Sequence, residues 1–225
     1  MTRARPAAGR GDAGSLYAAI RSCVSKRDGG IITLRAETHH NISNTSTLDH
    51  FWAVGRLEVR GETGQGCACP SVSGRWTFDG RGGVGGISNV HCWSTDEALF
   101  FIMGGQWCFT ECDLTGNGTF THVVYAAQSS ETSIASCTVR GVQGPDGLEG
   151  NGVTAVDEAS VAAQRCVFEG LRHGMFLCDT SVTFADRCIF RFTAMGATFI
   201  HVSQATFRGT PGPIPRYPWP KFSRL

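Results

Sequence analysis

The sequence has no long hydrophobic run and no excess of charge of either sign. No stretch of roughly 18 apolar residues occurs, so no segment is long enough to form a transmembrane helix. Lys and Arg total 20 and Asp and Glu total 19, which leaves a formal net charge of +1. A chain without a basic excess lacks the attraction that draws proteins to nucleic acids and anionic membranes. We therefore expect neither a nucleic acid nor a membrane as a partner.

The N-terminus also lacks the apolar core of a secretory signal, since it begins Met-Thr-Arg-Ala-Arg-Pro-Ala-Ala-Gly-Arg. We therefore expect a cytoplasmic chain whose ten cysteines are reduced thiols rather than disulfides. The first ten residues are rich in Arg and free of acidic residues, which also fits a transit sequence. That alternative stays open.

Helical periodicity is scarce. Twenty-nine glycines and only 17% charged residues indicate a chain that turns often and forms many short strands. Residues 15–27 are the exception, because their apolar residues recur with the helical period. We interpret this segment as a helix that caps one end of a β-structure.

Four cysteines recur in one local setting. Three of them begin the motif Cys-x-apolar-x-Gly, and the fourth has lost its glycine; they are Cys112, Cys137, Cys166 and Cys188. We expect these thiols to stack in neighbouring coils as a buried, unbonded ladder.

A second marker gives the length of the repeat. Apolar, alternating stretches begin at Gly152, Gly174 and Gly196, which are equally spaced, and Cys166 and Cys188 are separated by the same interval. The interval corresponds to a coil of about 22 residues, a period typical of solenoids. This register predicts parallel strands at 153–156, 175–178 and 197–200, with Thr154 pointing outward. The longer interval from Cys137 to Cys166 is assigned to a loop at 144–150.

These patterns predict an all-β fold, a single-stranded right-handed parallel β-helix (a solenoid) with an N-terminal capping helix. Residues 30–209 have room for about eight coils of this length. We divide the chain into a flexible N-terminus at 1–14, the β-helix domain at 15–209 and a proline-rich tail at 210–225.

Three stretches carry a resemblance to known proteins. They are the helix followed by Gly-Gly-Ile-Ile-Thr-Leu, the run from Phe101 to Phe109, and the coils that begin with Cys-x-Phe-x-Gly. Together they resemble the parallel β-helix repeats of F-box proteins and of the Shc SH2-domain-binding protein, and more distantly those of pectin-degrading enzymes. No F-box-like helical segment is evident, so the resemblance implies a recognition module without its effector.

Catalytic candidates are few. The repeat register aligns Asp157, Asp179 and His201 in one row, where carboxylates about 5 Å apart would share protons or hold a cation. The alternative is a turn ladder, because Asp favours turns. Arg172 and His173 precede Gly174 in a segment that only loosely resembles a Gly-His-Gly segment of pectin-degrading enzymes.

Metal ligands do not occur at zinc-site spacing, although suitable atoms are offered by Cys67, Cys69, His39, His40, His91 and Cys92. We predict no metal and no cofactor.

Trp107 is expected to point inward, whereas Trp219 in the tail is the tryptophan that we expect to be exposed.

The sequence thus favours a non-enzymatic, monomeric interaction module that binds a protein partner or a glycan. Its predicted binding residues are Arg172, His173, Asp157 and Asp179. The alternative is a carbohydrate-active enzyme, a polysaccharide lyase or glycoside hydrolase, that uses the stacked Asp residues.

Overall fold

The computed structural model describes residues 13–24, 26, 28–42, 51–52, 56–63, 68–79, 83–117, 121–142, 149–200 and 204–210. Within these ranges the chain forms one helix, α1 (Ala13–Val24), and 22 strands. The strands are β1 (Gly30–Leu34), β2 (His39–Asn41), β3 (Phe51–Trp52), β4 (Arg56–Gly61), β5 (Ser71–Ser73), β6 (Trp76–Asp79), β7 (Val84–Ser88), β8 (His91–Ser94), β9 (Ala98–Met103), β10 (Gln106–Thr110), β11 (Asp113–Gly116), β12 (His122–Ala127), β13 (Glu131–Ala135), β14 (Thr138–Gly141), β15 (Asn151–Ala155), β16 (Ser160–Gln164), β17 (Val167–Glu169), β18 (His173–Leu177), β19 (Val182–Asp186), β20 (Ile189–Arg191), β21 (Met195–Phe199) and β22 (Gln204–Arg208).

Every strand pairs in parallel with the equivalent strand of the next coil. The first sheet has the order β1-β4-β7-β10-β13-β16-β19-β22, the second β2-β5-β8-β11-β14-β17-β20, and the third β3-β6-β9-β12-β15-β18-β21. The chain visits the three sheets in turn, so the described residues form a parallel β-solenoid. The predicted all-β fold with its N-terminal helix is confirmed.

The predicted register is confirmed in the last coils. Val153 aligns with Met175, and Met175 aligns with Ala197. The strands differ from the prediction at their ends, since β15, β18 and β21 begin two residues earlier and end one residue earlier than expected. Strands β15 and β18 end early because Asp157 and Asp179, which follow them, adopt positive φ angles that turn the chain.

Coil length varies at the turns. Ser160 pairs with Val182 and Val182 pairs with Gln204 at the predicted interval, whereas Glu131 pairs with Ser160 across a longer one. The additional residues lie between β14 and β15, in the region predicted to hold the insertion. The strand ladder itself continues in register across it.

Helix α1 packs on the first coil, where it contacts β1, β2, β3 and β4. Leu16, Ile20 and Val24 bury one side of the helix, and Ile20 has no exposed surface. The helix begins before the predicted residue 15 and ends before residue 27. It ends early because Lys26 N–H donates to Cys23 O and Gly29, at φ +66°, closes the next turn onto Lys26.

The interior consists of ladders of apolar residues that alternate with outward residues. Trp107 is 3% exposed and aligns with Thr132 and Val161, as its predicted inward position requires. The four repeated cysteines are buried, free thiols; they are Cys112, Cys137, Cys166 and Cys188. Cys112 N–H donates to Cys137 Sγ at 3.3 Å, and the Cys166 thiol donates to Ile134 O at 3.3 Å. The buried cysteine ladder is confirmed.

The third sheet departs from simple alternation. Val123 and Val124 are consecutive, and both are fully buried in the core. Their neighbours His122 and Tyr125 therefore both lie on the outer side, with ring centroids 5.1 Å apart. The same arrangement recurs in β18, where the rings of His173 and Phe176 lie 5.5 Å apart. This outer side thus carries two neighbouring columns of side chains.

Candidate binding surfaces

The predicted row of Asp157 and Asp179 lies at the corner between the third and first sheets. Both residues are exposed and have φ angles near +50°, and Glu158 and Thr180, which follow them, are also left-handed. The corner backbone forms its own ladder, because Glu158 N–H donates to Asp179 O at 3.2 Å. Asp tolerates this conformation better than most residues, so the corner gives the row a turn-forming role. His201, the third member of the predicted row, lies outside the described residues.

The corner nevertheless borders open space. A depression of about 880 Å³ is lined by Asp157 and Asp179 together with Gln106 and Glu131 of the first sheet. Burial raises the pKa of the nearby Tyr125 hydroxyl, and the two corner carboxylates add to that increase. A negatively charged rim thus lies beside the outer side of both sheets.

The outer side of the third sheet carries a polar network formed by His122, Asn151 and Thr154. His122 Nδ1 lies 2.7 Å from Thr154 Oγ1, and Asn151 Nδ2 donates to Thr154 Oγ1 at 3.2 Å. Thr154 points outward as predicted but is only 2% exposed, because these side chains cover it. Burial lowers the pKa of His122 to about 4, although Glu97 opposes the shift.

His173 and Arg172 lie beside this network with different exposures. The His173 side chain is 9% exposed, and among the described residues neither ring nitrogen has a hydrogen-bond partner. Burial lowers its pKa, and the Arg172 charge lowers it further. Arg172 is exposed. Arg172 and His173 are therefore one solvent-facing cation and one buried imidazole. Their role in binding, like that of Asp157 and Asp179, stays a prediction.

A surface that was not predicted lies on the outer side of the first sheet. We call it the first-sheet groove; its floor is a column of small side chains on adjacent strands, Gly86, Cys108, Ser133 and Ala162. The groove encloses about 570 Å³. Gln106, Glu131 and Ser160 line one wall, and Ser88 and Thr110 line the other.

One end of the groove is closed by a charged cluster on β4. The Glu58 carboxylate contacts the Arg56 guanidinium through Oε1 and the Arg60 guanidinium through Oε2. The Glu58 side chain is 10% exposed, whereas those of Arg56 and Arg60 are 70% and 54% exposed. Each guanidinium has five N–H donors, so both retain donors beyond those that contact Glu58.

The sequence contains only a weak signal for this groove. Arg56-Leu-Glu-Val-Arg60 alternates in a manner typical of a solvated strand, and nothing in it indicates that Glu58 is buried. The floor residues are separated by coils of different length, since the interval from Ser133 to Ala162 is longer than that from Gly86 to Cys108. Their alignment becomes visible only when the register is known across the insertion.

The candidate metal ligands are dispersed. Among the residues that the structure describes, no group of three or more His, Cys, Asp and Glu side chains is placed to hold a metal ion. Cys92 is fully buried, and its neighbour His91 points to the opposite side of β8. Cys67 lies outside the described residues.

Comparisons of the chain with protein-family models, with curated proteins and with solved structures found no match. In the described part of the chain, no helix combines the length and apolar character that spanning a bilayer requires. Functional inference therefore depends on the surfaces themselves.

Proposed function

We propose that the chain is a non-enzymatic interaction module, and that it binds a protein partner or a glycan along the first-sheet groove. The observation that carries this proposal is the continuity of the groove from Glu58 to Ala162. These residues lie on five successive strands of one sheet, which at about 4.8 Å per strand gives a floor of about 19 Å. A floor of this length suits a linear ligand rather than a small compact one.

The walls of the groove supply what a linear polar ligand needs. Gln106, Ser160 and Thr110 offer both donors and acceptors, and the floor between them has no large side chain. The strands below are held by ladder hydrogen bonds on both sides, so the groove is preorganised and binding costs little ordering of the protein. These features support binding and require no chemical step.

Binding through the groove is tested by filling it. Ser133 is exposed on the floor, so we expect Ser133→Trp to fold and to obstruct the groove. Thr138→Trp is the matched control, because Thr138 lies on the outer side of the second sheet. Both variants and the unmodified chain are applied to a glycan array and to a display library of peptides. Equal binding by all three would reject the groove as the binding surface.

A carbohydrate-active enzyme is the second candidate function, favoured by the position of Asp157 and Asp179 on the rim of the corner depression. Carboxylates on neighbouring coils lie about 5 Å apart, which is near the separation found in retaining glycosidases. The test is a screen for cleavage of polygalacturonate and other polysaccharides, with Asp157→Asn and Asp179→Asn as controls. Cleavage that both substitutions abolish would favour the enzyme over the binding module.

A further inference from the structure

The first-sheet groove has opposite charges at two positions along its length. At one end, Arg56 and Arg60 share the single Glu58 carboxylate, so this cluster keeps a net charge of +1. Further along, Glu131 is exposed on the wall, where it accepts a hydrogen bond from the neutral Gln106 amide at 3.1 Å. A neutral donor does not cancel its charge.

The cationic cluster is held in place rather than mobile. An exposed arginine samples many rotamers, but here a mostly buried carboxylate contacts both guanidiniums and limits their freedom. Fixed guanidiniums lose less entropy when they bind an anion. The cluster is therefore prepared for an acidic group that enters this end of the groove.

The spacing of the two charges is set by the ladder. Glu131 lies on β13, three strands beyond β4 in the first sheet. Three steps of about 4.8 Å place the two charged positions about 14 Å apart. An extended peptide advances about 3.3 Å per residue, so this distance corresponds to about four residues.

We propose that the first-sheet groove binds an extended peptide segment of a partner protein, one that carries an acidic side chain and, about four residues away, a basic side chain. This inference rests on the proposed function and names the class of ligand. The acidic side chain binds Arg56 and Arg60, and the basic side chain pairs with Glu131. The small floor residues let the peptide backbone lie close to the sheet, within reach of Thr110 and Ser160.

The charge pattern favours a peptide over a glycan. A peptide combines both signs of charge at a fixed spacing in one linear molecule. A neutral glycan would cover the net positive cluster and Glu131 without supplying counter-charges, and covering uncompensated charge weakens binding. A uniformly acidic glycan would bring its negative groups beside Glu131.

The experiment selects peptides on the full chain. A display library of random segments of about nine residues, long enough to span the groove, is enriched on the unmodified chain and depleted on Ser133→Trp. We expect the enriched peptides to carry an acidic and a basic residue about four positions apart. A synthetic peptide from this pool, labelled for fluorescence anisotropy, should bind Ser133→Trp and Glu131→Lys each about tenfold more weakly than the unmodified chain and Thr138→Trp.

Charge reversal provides the decisive control. Replacing the basic residue of the peptide by Glu should weaken binding to the unmodified chain and restore binding to Glu131→Lys. The inference is overturned if the enriched peptides show no charge spacing, if no peptide is enriched, or if reversal gives no restoration. A different outcome is that a neutral oligosaccharide on the array binds the unmodified chain and fails to bind Ser133→Trp. In that outcome the inferred class of ligand is wrong, while the groove remains the binding surface. If Ser133→Trp changes no binding at all, both proposals fail.

Discussion

The His122 imidazole should make the stability of the fold depend on pH between about 6.5 and 4. Burial lowers its pKa to about 4 in the folded chain, from an ordinary value of 6.5. Below pH 6.5 the unfolded chain therefore takes up a proton at this residue that the folded chain does not. Folding loses stability as the pH falls through this interval and loses none above it.

The size of the stability loss follows from the difference between the pKa of His122 in the unfolded chain and its pKa in the folded chain. Each pH unit between the two pKa values costs about 1.4 kcal/mol, so the total loss is about 3 kcal/mol by pH 4 and about 2 kcal/mol by pH 5. Burial sets the direction of the pKa shift, and the hydrogen-bond geometry at Nδ1 is consistent with it. Nδ1 lies within bonding distance of Thr154 Oγ1, at 2.7 Å, and Asn151 Nδ2, at 3.3 Å. The Asn151 amide nitrogen is a donor only, so Nδ1 is best satisfied as an acceptor, and a proton there would face another N–H.

The assay compares the unmodified chain with His122→Gln by urea denaturation at several pH values between 7.5 and 4.5. Glutamine has no proton to take up in this range, so the variant should lose less stability on acidification. At pH 7.5 it should be less stable by about 1 kcal/mol because the network is altered. The difference should shrink or reverse by pH 4.5. Other buried histidines, such as His173, contribute equally to both proteins and cancel. Parallel stability curves across the whole range would refute the argument.

Three further predictions concern stability. Gly174→Ala should lower the melting temperature and reduce the free energy of unfolding by about 1–3 kcal/mol, because the new Cβ would lie 2.4 Å from Phe190 Cδ1 and 2.7 Å from Gly196 O. Gly196→Ala is the control that should be tolerated, because the nearest contact of its Cβ would be 3.6 Å away. Exposed Cys69 and Cys108 should react with iodoacetamide in the native chain, whereas the buried Cys112, Cys137, Cys166 and Cys188 should react only after unfolding; labelling of the ladder without unfolding would contradict this. Replacing Asp157, Asp179 and His201 together should lower stability by on the order of 1 kcal/mol for each lost turn contact and leave binding largely intact; loss of binding or of hydrolysis at an unchanged melting temperature would favour the enzyme.

The last coils were predictable because two of their three marker glycines, Gly152 and Gly174, are sterically required. A Cβ on Gly152 would lie 2.6 Å from Gly174 O, and a Cβ on Gly174 would lie 2.7 Å from Gly196 O. In earlier coils the same row is occupied by Leu99 and Val123, both fully buried. The glycine marker is therefore absent there, and the sequence pattern loses its period although the ladder continues.

The polar network of the third sheet was not predictable for a related reason. His122 and Thr154 meet because β12 and β15 pair in neighbouring coils, and the insertion between these strands makes their separation in sequence longer than the repeat predicts. Val123 and Val124 both point into the core, so His122 lies on the outer side together with Tyr125. A strict alternation with a period of two does not allow this arrangement. Neither feature leaves a local signal in the sequence, so the network becomes visible only in the folded chain.

Function is harder to infer than fold in this chain because inner and outer columns obey different constraints. The inner column Phe109, Ile134, Ala163 and Ala185 is fully buried, so each member must be apolar and must fit its neighbours. The outer column one residue earlier is Cys108, Ser133, Ala162 and Phe184, which changes chemistry from coil to coil without disturbing the ladder. Periodicity therefore reports the inner columns alone. The groove arises from an outer column, and no repeat requires Arg56, Arg60 or Glu131, the residues from which we infer a peptide ligand. For this reason the charge-reversal experiment, rather than any pattern in the sequence, decides whether the groove binds such a peptide.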